Sequence, residues 1–590
     1  MGSTGELGEK LEHVQRSKTY TFQGAKGWRR YRILMPGKGM YHDVKRRLPY
    51  YLSDITDAWT YRAFASTIRM YFVNLLPAVA YTLDMTRRTG YFFGINESLF
   101  SSALAAMVFS IGAAQPLTIV GVTGLISLFN YTIYDIISQY DVALYPQFMA
   151  WTGIWAALFH WIVSFGNYCD YMRYVTDFSS ESFGMYVGII YCVKGVEELV
   201  NEFSQENPSA GYMSCVIAIL YFGSVYSLEK LGSSTMWKPW VRGLLADYAY
   251  VFPTLFCVGF AHIPGNLANT HVSYVPTHQA FHPTQHRSWL IDFWNLDIKW
   301  IFVAIPFGLL TTLLFYYDHN VSSLTAQARP FPLKKPAGFH WDFFLLGCTT
   351  LVAGILGLPM PNGLVPQAPV HTDSLTIYTT RLETIHTTSG DEIRRPVTEA
   401  SAVVEQRVSH FFMGLALIGT MTGPLLAVLH TMPSAVFAGV FFVVGWGSIE
   451  SNGILHRLVY LQSESRFVSP ADPLNAVSRR NIALYTGMQI VGVSASVAVS
   501  QTVAAIGFPV LIIGLVPLRM LVMPRWFGGE ELGVLDGLTA DNEAVLESLG
   551  GRPDIGDAGE DGMARKDGVA SEDRSVQRQG AGSIHRSSSL

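Results

Sequence analysis

Gln115-Pro116-Leu117-Thr118-Ile119-Val120-Gly121-Val122-Thr123-Gly124 interrupts a run that is otherwise almost wholly apolar from Phe100 to Tyr131. A membrane-spanning helix needs about 20 residues, so this run is too long for one span and too short for two with a loop. Pro116 removes a backbone donor, and Gly121 and Gly124 let the chain leave helical geometry. A full helix followed by a short half-helix is expected. A second stretch of the same kind lies in the other half of the chain. It is Leu358-Pro359-Met360-Pro361-Asn362-Gly363-Leu364-Val365-Pro366-Gln367-Ala368-Pro369-Val370-His371-Thr372. Broken helices expose N–H and C=O groups, which survive at membrane depth only where they line a cavity or bind something. A pair of them in corresponding places is the best sequence pointer to a transporter's binding site.

The 590 residues are 49% hydrophobic, 13% aromatic and only 15% charged, with a mean hydropathy of +0.25. Soluble domains carry about 25% charged residues, so this is a polytopic membrane protein. The five cysteines (Cys169, Cys192, Cys215, Cys257, Cys348) fall in or beside apolar runs, without metal-ligand spacing. They read as small buried hydrophobes. The polar, basic N-terminus has no apolar stretch that could serve as a cleavable signal.

Fourteen spans are predicted, near 66–85, 98–113, 115–134, 147–168, 182–199, 211–229, 242–262, 298–325, 341–357, 361–376, 406–430, 432–449, 482–503 and 505–523. Basic residues crowd 1–65 and recur at Lys230, Lys238, Lys334, Lys335, Arg394, Arg395, Arg457, Arg466, Arg479 and Arg480. These positions fall on one side of the predicted topology, which puts both termini in the cytoplasm. Arg87 and Arg88 are exceptions on the outer side. Fourteen divides into inverted halves of seven, and the broken segments become the third span of each. The expected organisation is a cytoplasmic basic segment 1–65, a first seven-span repeat 66–262, an extracellular loop 263–297, a second repeat 298–525 and a disordered cytoplasmic tail 526–590.

If the half-helices converge near the midplane, their free N–H groups and positive dipole ends make a site for an anion or polar solute. Candidates are Val120, Gly121, Val122, Thr123 and Gly124 in the first segment, and Asn362, Gly363, Leu364, Val365 and Gln367 in the second. Gln115, Asn74, His371, Thr372 and Lys194 are possible neighbours. The bland alternative is a pair of helix kinks that fill packing gaps. Asp318 lies inside the apolar run 301–326, where a carboxylate costs at least about 2.5 kcal/mol and usually faces a cavity. It is a candidate proton acceptor, because an arriving anion favours the protonated carboxyl and links proton uptake to occupancy. Lys194 is expected to snorkel or to pair with Glu198 at i+4. Gly184 and Gly188 form a small-xxx-small contact, internal or between subunits. His271, His278, His282 and His286 in the outer loop are irregularly spaced and lack a Cys partner, so no metal is expected. Asn96-Glu97-Ser98 is a glycosylation sequon that abuts the membrane. No G-x-x-x-x-G-K-[ST], H-E-x-x-H or G-x-S-x-G occurs, nor a nucleic-acid pattern, so neither an enzyme, a cofactor nor a nucleic-acid partner is expected.

Ala114-Gln115-Pro116-Leu117-Thr118-Ile119-Val120-Gly121 resembles the span 3 signature of the bicarbonate-transporter superfamily. So do Glu405-Gln406-Arg407-Val408-Ser409 before span 11, and Phe508-Pro509-Val510-Leu511 through Val516-Pro517-Leu518-Arg519 in span 14. The resemblance is collinear over about 60–525. Within the superfamily the chain looks most like the borate transporters of fungi and plants, through 361–372 and Tyr317-Asp318-His319, where that family places an acidic residue facing the substrate. Bicarbonate exchangers have a large N-terminal cytoplasmic domain and usually carry Arg on the span 10 half-helix, where Gln367 stands here. The resemblance implies an all-α fold of two inverted seven-span repeats. Spans 1–4 and 8–11 would form a core, and spans 5–7 and 12–14 a gate through which relatives dimerise. It implies elevator-like export of borate or boric acid across the plasma membrane, and Asp318, as a candidate proton acceptor, adds the expectation that export is coupled to protons. The rivals are a bicarbonate or other inorganic-anion exchanger, a nucleobase- or sulfate-type carrier, and a non-transporting scaffold or boron sensor.

Overall fold

Thr60 starts the first long helix. Its side chain accepts from the Ala63 amide, and the helix carries only Arg62, Arg69 and Asp84 as charged residues until Arg87 and Arg88. The computed structural model describes residues 20–21 and 35–553, apart from 204–206, 235, 266, 329, 387–391, 470–471, 503 and 541–542. The chain divides into two compact units, Met1–Arg30 with Gly550–Leu590, and Tyr31–Leu549. In the first, Tyr20–Thr21 pairs antiparallel with Arg552–Pro553. The second contains all that follows.

Its first half runs α1 (Lys38–Arg47), α2 (Tyr61–Arg88), α3 (Ile95–Gly112), β1 (Val120–Gly121), α4 (Gly124–Ile137), α5 (Tyr145–Phe165), α6 (Asp177–Asn201), α7 (Pro208–Ser233), α8 (Pro239–Asp247) and α9 (Val251–Ala261). Its second half runs α10 (Ile298–Ala326), α11 (His340–Ile355), β2 (Asn362–Gly363), α12 (Gln367–Leu375), β3 (Thr376–His386), β4 (Glu392–Val403), α13 (Val408–Thr420), α14 (Gly423–His430), α15 (Ala435–Glu450), α16 (Gly453–Gln462), α17 (Arg479–Ser500) and α18 (Phe508–Leu521). Two short helices follow, α19 (Gly529–Leu535) and α20 (Glu543–Ser548). This is a helical, polytopic membrane fold. Among the described residues, seven helices are long and apolar enough to cross a bilayer, or up to ten if each bent pair counts as one span.

Two expected spans are broken where continuous helices were predicted. Residues 406–430 bend by 84° between α13 and α14, and 242–262 bend by 62° between α8 and α9. Pro424 and Pro253 sit in the first turn after each bend, where a proline cannot continue the preceding hydrogen-bond ladder.

The helices pack in two groups. One joins α2, α3, α4 and α5 to α10, α11, α12 and α13, and the other joins α6 and α7 to α15 and α17. Small residues set both contacts. A Cβ on Gly153 of α5 would lie 2.9 Å from the Gly354 Cα of α11, and one on Gly188 of α6 would lie 2.9 Å from the Gly445 carbonyl of α15. The small-xxx-small stripe of α6 is therefore an internal contact.

In the first group, Asp54 is fully buried and holds three cations. Arg47 Nη2 lies 2.7 Å away, Arg407 Nη2 2.8 Å and Lys335 Nζ 2.9 Å. Arg407 also donates to the Ser110 and Ile111 carbonyls at the end of α3. Part of the basic segment before α2 is thus tied into the fold, and the Glu405–Ser409 motif is a clamp. Replacing Asp54 with Ala leaves the buried Arg47 and Arg407 without their counter-ion, while Lys335 keeps Asp57 at 3.1 Å. A loss of about 3–5 kcal/mol is expected, read as a lower unfolding midpoint in detergent.

The tail departs from expectation. Disorder from 526 onward does not hold for 529–540 and 543–549, because Leu532, Leu535, Val545, Leu546 and Leu549 are buried. That apolar content lies at helical spacing and was diluted by the Gly- and Asp-rich sequence around it. Residues 554–590, with the C-terminal serines, lie outside the described residues. In the first turn of α3, Asn96 donates to the carbonyls of Gln279 and His282, 2.8 Å each, so the sequon side chain is buried in the fold.

Candidate functional site

The two broken segments meet. β1 and β2 pair antiparallel, with Val120 opposite Gly363 and Gly121 opposite Asn362, and the Leu364 amide extends the pairing to the Ile119 carbonyl at 2.9 Å. Each strand leads straight into a short helix. Thr123 caps α4, its Oγ1 accepting from the Ile126 amide at 3.3 Å, and its hydroxyl proton stays free to donate. The first-turn amides of α4, at Gly124 and Leu125, have no intrahelical acceptor. The Val122 amide is taken by Ser102 Oγ of α3 at 3.1 Å.

Close approach explains the glycines. A Cβ on Gly124 would lie 2.2 Å from the Tyr81 ring, and one on Gly363 would lie 2.9 Å from the His319 Cα of α10. β2 thus lies directly on α10, where Asp318 Oδ2 accepts from Asn362 Nδ2 at 2.8 Å. Asp318 is only 3% exposed.

Around the strand pair stand buried polar atoms with no hydrogen-bond partner. They are both amide atoms of Asn74, both of Gln367, Asn362 Oδ1 and the Tyr81 hydroxyl. Asn74 lies against Gly121. A buried orphan amide costs about 1–3 kcal/mol, so these six atoms at one crossing could be satisfied by a hydroxyl-bearing or hydrated guest. The amides both donate and accept, and none of these side chains is cationic.

Lys194 lies elsewhere. It bonds to Glu197 Oε2 at 2.7 Å and Asp84 Oδ2 at 3.1 Å, and lies 5.2 Å from the Tyr131 ring, two turns along α4 from Gly124. Its expected partner Glu198 is taken by Arg87 instead. Arg88 lies over the Tyr131 ring at 3.6 Å and 3.6 Å from Asp135, so both arginines at the end of α2 have partners. His371 bridges the Leu117 carbonyl and Ser409 Oγ, both at 2.9 Å, and Thr372 donates to the Ala326 carbonyl, so both are engaged in holding elements together. Gln115 accepts from the Leu117 amide, while its own amide is held by Asp342 Oδ2 at 2.9 Å.

Three aromatic residues at the site were not singled out from sequence. Tyr81 of α2 packs 5.3 Å from Tyr191 of α6 and 4.8 Å from Phe441 of α15, which joins the two helix groups beside Gly124. Tyr191 thus comes to the crossing through Tyr81, whose ring closes on Gly124. Tyr81 carried one usable signal: it is seven residues from Asn74, on the same helical face. Tyr191 and Phe441 carried none.

Residues 35–210 and 202–540 match the family model described as the HCO3- transporter integral membrane domain. The chain belongs to this family. It is 44% identical over 503 residues to "Putative transporter C543.05c" of Schizosaccharomyces pombe, covering 85% of this chain and 96% of that one. It is 38% identical over 527 residues to "Boron transporter 1" of Saccharomyces cerevisiae, covering 87% of each. The solved murine "Solute Carrier 26 family member A9 (Slc26a9) anion transporter in the inward-facing state" shares the fold, with a TM-score of 0.50 at 11% identity over 88% of this chain and 75% of that one. The bicarbonate-transporter membership thus agrees with the resemblance carried by the sequence motifs.

Proposed function

We propose that this family member is a secondary active transporter that exports borate or boric acid across the plasma membrane, coupled to protons. The observation that carries the reading is the β1–β2 crossing, with Asp318 hydrogen-bonded to Asn362 inside a set of neutral, unpartnered amides and hydroxyls. Borate presents four hydroxyls, which amides and hydroxyls recognise by donating and accepting at once. The α4 dipole favours its negative charge. Gln367, standing where the bicarbonate exchangers resembled here usually carry Arg, provides no fixed cation. The name of the Saccharomyces relative supports the same cargo.

In this reading Val120 to Gly124 and Asn362 to Gln367 form the substrate site, and Asp318 carries the proton. The fourteen spans form two inverted repeats of seven. The group of α2–α5 with α10–α13 is the core, which moves as an elevator against the gate formed by α6–α9 with α15–α18. The gate also makes the homodimer contact in the bilayer, and both termini are cytoplasmic. Boron flux in proteoliposomes, with and without an imposed pH gradient, tests this. Flux that follows the gradient supports it, and flux that needs chloride or bicarbonate selects an inorganic-anion exchanger instead.

Tyr191 reaches the site from the gate. Tyr191→Phe keeps the ring contacts and removes one hydroxyl, worth about 1 kcal/mol as a hydrogen bond, so KM for boron is expected to rise about fivefold. The ratio of KM to maximal rate in the same vesicles is the check, and an unchanged KM removes Tyr191 from the site.

A further inference from the structure

The segment after α18 touches both helix groups, and it does so with different chemistry at its two ends. At one end Asp536 is 4% exposed and pairs with Arg519 of α18. It also accepts from the Phe178 amide at the start of α6, at 2.9 Å, and from the Tyr485 hydroxyl of α17, at 3.3 Å. The Asp177 amide donates to the Gly537 carbonyl at 2.9 Å, Thr176 bridges to Leu538, and the Ser180 and Thr539 hydroxyls lie 2.8 Å apart. Leu532 and Leu535 join an apolar cluster with Phe178, Tyr485 and Phe527. All of these partners lie at the inner end of the gate.

At the other end Ser548 Oγ donates to Asp43 Oδ1 of α1 and to the Ala337 carbonyl, 3.1 Å each. Asp43 in turn accepts from the amides of Phe339, His340 and Trp341 through Oδ2, and so caps α11 of the core. Burial alone would raise the Asp43 carboxyl, but the His340 hydrogen bond and charge, with Arg46 and the Trp341 amide, hold it below its ordinary value. Val545 and Leu549 join the large apolar cluster, and α20 packs on α1.

We infer that residues 536–540 and 543–549 strap core to gate on the cytoplasmic face and act as a brake on their relative movement. This rests on the elevator reading above. A rigid displacement of core against gate breaks whichever anchor is weaker. The gate anchor includes an ion pair, four hydrogen bonds and a bridge. The core anchor is two hydrogen bonds from one serine and a few apolar contacts, so the core end releases first. The strap then stays on the gate and can re-dock, which makes its occupancy a reversible setting on transport rate.

Ser548→Glu sets a carboxylate against Asp43 and forces release, and Ser548→Ala removes the two hydrogen bonds alone. Neither residue belongs to the transport site. The initial boron flux is expected to rise about threefold to tenfold in Ser548→Glu, with Ser548→Ala between it and the parent. Hydrogen exchange at 119–124 and 362–365 is measured on the same full-length proteins and needs no cargo. It is expected to quicken in the same order. A parent that transports boron, with variants whose flux and exchange are unchanged or lowered, overturns the brake and leaves the transport reading intact. A parent with no boron flux overturns the cargo, and the exchange measurement alone then decides the strap.

Discussion

Asp318→Ala is expected to lower boron flux at least 100-fold, about 2.7 kcal/mol, while the protein still folds. Asp318 is a buried carboxylate on a 29-residue helix, bound to Asn362 44 residues away in the chain. Alanine is the best helix former, and removing a carboxylate from apolar surroundings relieves a desolvation cost. Folding is therefore expected to survive, and size-exclusion behaviour and thermal midpoint check it. Asp318→Asn separates two roles. It keeps the shape and can still bond to Asn362, but it cannot take up a proton. If Asp318 only positions β2, Asp318→Asn transports like the parent. If it carries the proton, Asp318→Asn loses the stimulation by an inward- or outward-directed pH gradient. Parental flux and pH dependence in Asp318→Ala would end its assignment to the mechanism.

The parts of this site that could be read from sequence are those whose residue types are costly in a membrane. Pro116, Gly121, Gly124, Pro361 and Gly363 break apolar runs, and Asp318 charges one. Each demands a local reason, and their mutual contact follows once the halves are set side by side. The missed parts are made of residue types that cost nothing there. Tyr81, Tyr191 and Phe441 look like any aromatic in a span, and only the tertiary arrangement brings them to Gly124. The clamp around Asp54 was hidden for another reason. Asp54 and Arg407 are separated by 353 residues, and periodicity assigns faces without assigning partners. Lys194 shows the same limit locally. Its i+4 partner Glu198 was the helical expectation, but Arg87 from α2 claims Glu198, and Lys194 turns to Glu197 and Asp84. Bends failed too, because Pro424 and Pro253 lie so near the start of the second helix that hydropathy runs through them unchanged.

Gly363→Ala is expected to cost as much transport as the loss of Asp318, by geometry alone. The added Cβ would sit 2.9 Å from the His319 Cα, 3.0 Å from the Ser322 Cβ and 3.1 Å from His319 Nδ1. The nearest of these is backbone of α10, which cannot rotate out of the way, so the strand must move. β2 is two residues long and its other residue is Asn362, so any shift of Gly363 draws Asn362 from Asp318 and Val120 from its register. Overpacking of this kind costs about 1–3 kcal/mol of stability, which a folded membrane protein can absorb. Flux is expected to fall about 100-fold, or about 2.7 kcal/mol. Gly487→Ala in α17 is the matched control: nothing lies within 4 Å of a Cβ there, and the helix gains propensity. If Gly363→Ala and Gly487→Ala transport alike, the strand crossing tolerates a displacement that would break the Asn362–Asp318 bond. The substrate would then have to be held by the helix ends without it, and Asp318 would lose its link to the second segment.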